Sequence, residues 1–210
     1  MSASSYRLYA RRGAGSLAPQ MLLEEIGADY ELVWVTKSPA DIEPFRRISP
    51  AAKIPVLVLP DGTVMSESAA ILIHLADVHP AAALAPIAGS SAHARFLQWM
   101  VFLSANAYEA ALRFYYPERY SSAGAAAAAH IKTQALADGI GHLETVHAAL
   151  SPYVLGADLS AADHYLYMLA SWYPLDDATL AARLPKLRQH ADRMRRRPAI
   201  LKADADHADS

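Results

Sequence analysis

Two short segments place polar groups where a small charged ligand could be held. Glu67 and Ser68 precede an apolar run with helical spacing, so a carboxylate, a hydroxyl and free backbone N–H groups meet at a helix N-terminus. Such groups can bind a small charged ligand. Ser16 lies at the predicted start of an earlier helix, where its hydroxyl can donate a hydrogen bond to an anion or simply cap the helix.

A third segment offers backbone groups. Pro55 stands near the head of the apolar strand predicted over residues 54–59, and Lys53 precedes it. A proline at that place leaves the backbone groups of the residue before it unpaired within the sheet. The backbone of Ile54 is therefore available to a ligand.

The first 80 residues predict alternating strands and helices that position these segments. The pattern is strand, helix, strand, helix, two strands joined by a hairpin, and helix, over residues 6–10, 16–26, 31–36, 41–48, 54–59, 64–65 and 69–78. Gly27 fits the stop signal of the first helix, and Pro60-Asp61-Gly62 is a hairpin turn signal.

The rest of the chain predicts helices only. Residues 79–91, rich in Pro, Ala, Gly and Ser, are typical of a linker, and long helical patterns follow over 92–116 and 123–150. A further helix begins at Ser160-Ala161-Ala162-Asp163, a capping box that serves folding rather than chemistry. Pro198 is interpreted as the end of the last helix, and the residues after it as a loose tail.

Composition narrows the class of protein. Of 210 residues, 53% are hydrophobic and 19% are charged, which predicts a folded globular chain. The net charge of −2 gives no electrostatic reason to expect nucleic acid or an anionic membrane as partner. Because the chain has no cysteine, disulfides, thiolate metal sites and cysteine nucleophiles are excluded. Without a signal-peptide or spanning segment, a cytoplasmic protein is expected.

The spacing of the histidines and of the glycines argues against a metal site and against a nucleotide-binding turn. His142 and His147 are five residues apart on a predicted helix and do not share a face, so no metal site is expected. Gly13-x-Gly15 lacks the third glycine of a nucleotide-binding turn.

Taken together, the segments resemble a known family. The turn before Ser16, Lys53-Ile54-Pro55-Val56 and Ser66-Glu67-Ser68-Ala69-Ala70-Ile71, with a hairpin between the last two, are similar to the thioredoxin-like N-terminal domain of cytosolic glutathione transferases. The helical remainder, with its Ser160-x-x-Asp163 motif, matches the family's second domain. The resemblance implies an α+β thioredoxin-like N-terminal domain over residues 1–80 and an all-α helical-bundle domain over 91–210.

The same resemblance implies a binding site for glutathione as co-substrate. Pro55 would be cis, and the backbone of Ile54 would pair with the cysteinyl part of glutathione. Glu67 and Ser68 would hold its γ-glutamyl end, and Lys53 either reaches the glycyl carboxylate or is simply solvated.

The resemblance also implies how the thiol is activated. A serine at about the place of Ser16 stabilises the glutathione thiolate in several classes of the family, and Tyr9 is an alternative donor. Bacterial beta-class members carry a cysteine at the position of Gly15 and commonly a tyrosine at that of Ala10, so the chain departs from that class. Arg11 and Arg12, beside Ser16, could draw an anionic ligand or be solvated.

A second substrate is expected to be a small hydrophobic electrophile held against the helical domain. Tyr108 falls where beta-class relatives often carry a histidine near the thiol, and its phenol can donate a hydrogen bond. Three nearby tyrosines could line an aromatic pocket or pack a helix end: Tyr115, Tyr116 and Tyr120.

These expectations point to a glutathione transferase. The resemblance to the family also implies a two-fold homodimer. Two alternatives remain open at this point. One is a glutathione-dependent isomerase, lyase or reductase on the same scaffold. The other is a non-catalytic binding or interaction protein that keeps the fold, which Gly15 and Ala10 favour.

Overall fold

The computed structural model describes residues 5–208, which divide into two compact units. One unit comprises the described residues up to Ala85 together with those from Arg195 onward, and the other runs from Pro86 to Met194. The sequence assigns residues after 194 to the second domain, whereas the structure packs them with the first. Among residues 5–208, no helix is long and apolar enough to cross a membrane.

The first unit is built on a four-stranded mixed sheet, which confirms the expected α+β thioredoxin-like class. Its strands lie in the order β2-β1-β3-β4, with β1 parallel to β2 and antiparallel to β3, and β3 antiparallel to β4. The elements of this part of the chain are β1 (Tyr6–Ala10), α1 (Leu17–Ile26), β2 (Tyr30–Trp34), α2 (Pro39–Phe45), β3 (Val56–Val58), β4 (Val64–Ser66) and α3 (Ser68–Val78).

Side chains alternate across this sheet and define its two faces. Tyr9 and Val35 pack with Phe45 of α2 and with Val56 in one buried cluster. Leu8, the neighbour of Tyr9 on β1, is fully buried on the opposite face because successive strand residues point to opposite sides. Apolar side chains of α1 and α3 are also buried, and these two helices pack against each other.

The second unit is helical, as the sequence predicts. Its helices are α4 (Ser91–Phe102), α5 (Glu109–Tyr115), α6 (Ala125–Ala149), α7 (Ala161–Ser171), α8 (Asp177–Arg183) and α9 (Pro185–Met194). The helix expected over 92–116 is confirmed as an unbroken helical run, in which a π-helical turn, Leu103–Tyr108, joins α4 to α5.

A side chain inserted into the helix accounts for this π-helical turn. The hydroxyl of Tyr173 donates a hydrogen bond to the carbonyl of Ala107, and the N–H of Ala111 lies close enough to the same hydroxyl to lower its pKa slightly. These are the two backbone groups that an α-helix would pair directly, so the phenol lies at one of the helix's own hydrogen-bonding positions. Burial raises the pKa of Tyr173 and the Ala111 N–H opposes that effect. The phenol is thus neutral and able to donate.

The capping box at the start of α7 is confirmed and extends further than the motif. Asp163 is fully buried and accepts hydrogen bonds from the Ser160 N–H at 2.8 Å and the Ser160 hydroxyl at 2.9 Å. Its other carboxylate oxygen accepts from the Val154 N–H at 2.9 Å and lies 3.0 Å from Nε2 of buried His190. Because a carboxylate only accepts, Nε2 carries the proton. One side chain therefore joins a loop, α7 and α9.

The expectation of a loose tail after Pro198 is wrong. Residues Pro198–His207 form α10, and Pro198 occupies its first turn, where a missing N–H costs nothing. This helix packs along α1 and buries Ile200 and Ala203. Polar contacts also join the two helices, including Gln20 Nε2 to Asp206 at 2.7 Å and an ion pair between Arg197 and Glu25.

Candidate functional site

The register of the sheet brings the predicted binding segments to one edge. Val56 pairs with Tyr9 of β1 and with Ser66 of β4. The next residues beyond these partners are Ala10, Pro55 and Glu67, so the end of β1, the start of β3 and the end of β4 lie side by side. Adjacent strands are about 4.8 Å apart, which places the three segments within the span of one small ligand.

The backbone at Ile54 has the form that the resemblance implies. The Ile54–Pro55 peptide bond is cis, which confirms that expectation. Pro55 is buried, Ile54 is partly exposed and Lys53 is exposed. The ladder of β3 begins only at Val56, so Ile54 lies outside the paired part of the strand. Its backbone polar groups stand at the same edge as Glu67.

Glu67 occupies an unusual conformation for the residue before a helix. Its φ is 68° and its ψ is 108°, a region that L-residues rarely adopt. The side chain is exposed and makes no capping bond to α3, and the described residues provide no hydrogen-bond partner for its carboxylate. Strained residues of this kind cost on the order of 1–3 kcal/mol and concentrate at ligand sites. The strained backbone of Glu67 therefore places a carboxylate without a hydrogen-bond partner among the described residues at the sheet edge.

Ser68 is placed differently from Glu67 although it is its neighbour. It is the first residue of α3 and is only 6% exposed. The N–H groups of the first turn of a helix have no partner within the helix, and Ser68 lies among them. Glu67 and Ser68 therefore place a carboxylate, a hydroxyl and backbone N–H groups together at the start of α3.

The structure contradicts the alternative that the side chain of Ser16 caps α1. The residue precedes α1 but has helical dihedrals, φ −74° and ψ −17°, and its side chain does not cap the helix. Its hydroxyl instead donates to the carbonyl of Arg11 at 3.1 Å and accepts from the N–H of Arg11 at 3.1 Å. The side chain is fully buried. In this arrangement the hydroxyl proton is directed within the turn, and a role for Ser16 toward a thiolate stays a prediction.

Arg11 and Arg12 face the β2 side of the turn. Arg11 donates to the carbonyl oxygens of Val35 at 2.9 Å and Thr36 at 3.2 Å. The guanidinium of Arg12 stacks on the Trp34 ring, 4.9 Å from its centroid, and donates to the carbonyl of Ala208 at 3.2 Å. Neither arginine is merely solvated. Tyr9, the alternative thiol donor, is 92% buried in the cluster with Phe45.

The tyrosines of the second unit have local partners. Tyr108 ends the π-helical turn and its ring lies edge-on to Trp172, with centroids 5.1 Å apart. The hydroxyl of Tyr115 donates to the Trp172 carbonyl, and the guanidinium of Arg119 lies 3.8 Å from the centroid of Tyr116. Tyr120 is 42% exposed. No three metal-ligating side chains come together among the described residues.

Tyr173 and Gly139 are residues that the sequence reasoning missed. A Cβ at Gly139 would lie 2.1 Å from Cε1 of Tyr173, so only glycine lets the ring reach the π-helical turn. A glycine inside an otherwise alanine-rich helix is itself unfavourable by about 1 kcal/mol relative to alanine. That cost is the signal from which a close approach could have been predicted.

Comparison with known proteins agrees with this geometry. Family models described as the glutathione S-transferase N-terminal and C-terminal domains match residues 16–78 and 106–203. A sphingomonad glutathione S-transferase solved with glutathione is 31% identical, with a TM-score of 0.81 over 96% of this chain and 98% of that chain.

Two further relatives extend the comparison. A glutathione transferase homologue from Sulfitobacter, also solved with bound glutathione, is 25% identical, with a TM-score of 0.87 over 97% of this chain and 98% of that one. Glutathione S-transferase GstA of Escherichia coli O157:H7 is 25% identical over 171 residues, which is 79% of this chain and 81% of that protein. The chain belongs to the glutathione S-transferase family.

Proposed function

We propose that this chain is a glutathione transferase that conjugates the glutathione thiolate to a small hydrophobic electrophile. The observation that carries the proposal is the exposed, strained and unpaired carboxylate of Glu67, which lies beside the free backbone edge of Ile54. Glu67 and Ser68 bind the amino and carboxylate groups of the γ-glutamyl end, and Ile54 pairs with the cysteinyl backbone. Lys53, exposed at the same edge, binds the glycyl carboxylate.

The proposed binding is tested by calorimetric titration with glutathione and with cysteinylglycine, which lacks the γ-glutamyl group. We expect saturable glutathione binding and at least about tenfold weaker cysteinylglycine binding, because a charge-assisted hydrogen bond contributes roughly 1.5–3 kcal/mol. Glu67→Ala and Ser68→Ala should each weaken glutathione binding by a similar factor. Ser66→Ala is the matched control, since Ser66 is exposed on the adjoining strand. Equal affinities for the two ligands would contradict the site.

A second part of the proposal concerns how the thiolate of bound glutathione is stabilised. A free thiol with a pKa near 8.5 is only slightly ionised at neutral pH, and lowering that pKa by one unit requires about 1.4 kcal/mol. We propose that the N-terminus of α1 and the positive charge of Arg11 supply this energy, while Ser16 closes the turn that presents them. Tyr108 binds the electrophile or its leaving group.

Ser16→Ala distinguishes these roles. We expect it to lower the free energy of unfolding by about 1–3 kcal/mol, because the backbone groups of Arg11 lose a buried partner. The pKa of bound glutathione, followed by its ultraviolet thiolate absorbance, should change by less than about half a unit, which corresponds to under 0.7 kcal/mol. A rise of the bound thiol's pKa toward its free value, with unchanged stability, would instead make Ser16 the thiolate donor.

A non-catalytic glutathione-binding protein is the second candidate. Gly15 and Ala10 stand where beta-class relatives have a cysteine and a tyrosine, and the Ser16 hydroxyl is already engaged. Tight glutathione binding without turnover of any generic electrophile would favour it.

We further propose a cytoplasmic two-fold homodimer. Leu97 and Val101, one turn apart on α4, are 36% and 60% exposed, and they support an apolar contact between copies.

A further inference from the structure

The dipeptide Trp172-Tyr173 directly follows α7 and contacts the π-helical turn at two points. The Trp172 ring lies edge-on to the ring of Tyr108, with centroids 5.1 Å apart. The Tyr173 hydroxyl donates to the carbonyl of Ala107, the residue before Tyr108. Two adjacent residues therefore contact both the Tyr108 ring and the backbone that carries it.

A third contact ties the same dipeptide to α5. The hydroxyl of Tyr115 donates to the carbonyl of Trp172. Tyr173 is only 4% exposed, so its hydroxyl depends on a protein group for an acceptor. Tyr108 is partly exposed, so part of the residue is accessible to a ligand. Tyr173 itself is too deeply buried to contact that ligand.

The arrangement that receives Tyr173 is unfavourable for two helices. A π-helical turn is rare, and such turns concentrate at functional sites. Gly139 of α6 lacks the side chain that would block the ring, because a Cβ there would lie 2.1 Å from Cε1 of Tyr173. Glycine is a poor residue for the interior of a helix. Both departures from a regular α-helix thus accommodate one phenol, which lies next to the backbone of Tyr108.

The location of the π-helical turn determines the direction of the Tyr108 side chain. Such a turn places one extra residue in the helix, and each residue rotates an α-helix by roughly 100°. If the turn moved past Tyr108, that residue would rotate by about this angle around the helix axis and leave its contact with Trp172. The Tyr173 hydroxyl gives the Ala107 carbonyl a partner and so favours the observed location.

We propose that Tyr173 is a positioning residue, whose hydroxyl fixes the π-helical turn and thereby directs Tyr108 toward an aromatic electrophile. The inference rests on the proposed function and narrows its substrate class from hydrophobic to aromatic electrophiles. The preference for an aromatic group then depends on a side chain that touches neither substrate.

Two glutathione derivatives measure this preference without turnover. S-benzylglutathione and S-methylglutathione differ only in the S-substituent, so the ratio of their Kd values, obtained by calorimetry, reports the electrophile side alone. We expect the wild type to bind S-benzylglutathione at least about tenfold more tightly. Tyr173→Phe should reduce that ratio about three- to tenfold and change S-methylglutathione affinity less than about twofold. Equal binding of the two by the wild type, or equal weakening of both by Tyr173→Phe, would overturn the proposal.

A second substitution shows whether Tyr173 acts through Tyr108. Tyr108→Ala alone should reduce the ratio by a similar factor, and Tyr173→Phe added to it should reduce the ratio less than about twofold further. Independent effects that multiply would overturn the inference. Tyr153→Phe is the matched control for loss of a phenol hydroxyl, since Tyr153 packs against His190 and Arg193 of α9. A fall of the ratio in this control would overturn the assignment to Tyr173.

A steric variant displaces the same phenol without altering it. Gly139→Ala places a methyl group where the Tyr173 ring lies, so it should lower the ratio as Tyr173→Phe does. Gly141→Ala is the matched control, because its Cβ would meet nothing within 4 Å. Circular dichroism and thermal unfolding verify that each variant is folded. An unchanged ratio in folded Gly139→Ala would contradict the positioning role.

A spectrum of the unliganded protein separates this inference from the proposed function. The tryptophan bands of near-ultraviolet circular dichroism lie at wavelengths where tyrosine absorbs little, and they report the surroundings of Trp172. Tyr173→Phe should change these bands as Tyr108→Ala does, whereas Tyr153→Phe should not. If neither derivative binds to the wild type, the proposed function fails. The positioning of Tyr108 then stands or falls with these bands, and an unchanged spectrum of Tyr173→Phe would overturn it.

Discussion

Asp163→Asn is expected to lower the free energy of unfolding by at least about 3 kcal/mol. Each carboxylate oxygen of Asp163 accepts from two donors: Ser160 N–H and hydroxyl on one, Val154 N–H and His190 Nε2 on the other. An asparagine has the same shape but must turn its NH₂ group toward one of these two donor pairs. The NH₂ group is itself a donor, so those buried donors lose their acceptor. Breaking a buried charged network of this kind costs roughly 3–5 kcal/mol.

Thermal and urea unfolding measure this effect. For a chain of this size, the loss corresponds to a fall in melting temperature of roughly 6–12 °C. Asp158→Asn is the control: Asp158 is exposed in the loop before α7, and its replacement should stay within about 0.5 kcal/mol. Ser160→Ala removes the hydroxyl that donates to Asp163, and its loss of unfolding free energy should lie between those of Asp163→Asn and Asp158→Asn. A loss below about 1 kcal/mol for Asp163→Asn would show that the network is not a main support of the helical unit.

Gly139→Ala is expected to destabilise the protein by roughly 2–3 kcal/mol, although alanine is the better helix former. The new methyl group would lie 2.1 Å from Cε1 and 2.6 Å from the hydroxyl oxygen of Tyr173. The ring must move, and overpacking of this kind typically costs about 1–3 kcal/mol. Its hydrogen bond to the Ala107 carbonyl is lost as well, for about 1 kcal/mol more, offset in part by helix propensity.

The same helix supplies the control. Gly141 lies two residues further along α6, and a Cβ there meets nothing within 4 Å, so Gly141→Ala should be neutral or stabilising by up to about 1 kcal/mol. In a Tyr173→Ala background, Gly139→Ala should lose most of its penalty, since the ring that it strikes is gone. If both glycine variants raised the melting temperature equally, the close approach of Tyr173 would not determine stability.

Much of the first unit could be predicted from local patterns. Strand alternation, the hairpin turn and the Ile54-Pro55 motif each depend on a few adjacent residues, and the sheet register then sets Glu67 beside them. The exposed carboxylate of Glu67 was therefore within reach of sequence reasoning. Its positive φ was not, because nothing in its neighbours forbids an ordinary conformation.

The features that could not be predicted from the sequence depend on contacts with residues beyond the local pattern. A serine before a helix usually caps it in an extended conformation, but the hydroxyl of Ser16 instead binds the backbone of Arg11, and its dihedrals are helical. The π-helical turn exists because Tyr173, 66 residues after Ala107, inserts its hydroxyl there. Pro198 is compatible with both the end and the first turn of a helix, and only packing against α1 decides between them.

The return of α10 to α1 has a consequence for the order in which the protein is completed during synthesis. The strands and helices up to Val78 leave the ribosome first, but the apolar face of α1 that receives Ile200 and Ala203 stays uncovered until α10 is translated. Chains usually fold domain by domain from the N-terminus. Here the helical unit, residues 86–194, has fully emerged before the unit that precedes it can close, so the sheet-containing unit is the later of the two to mature.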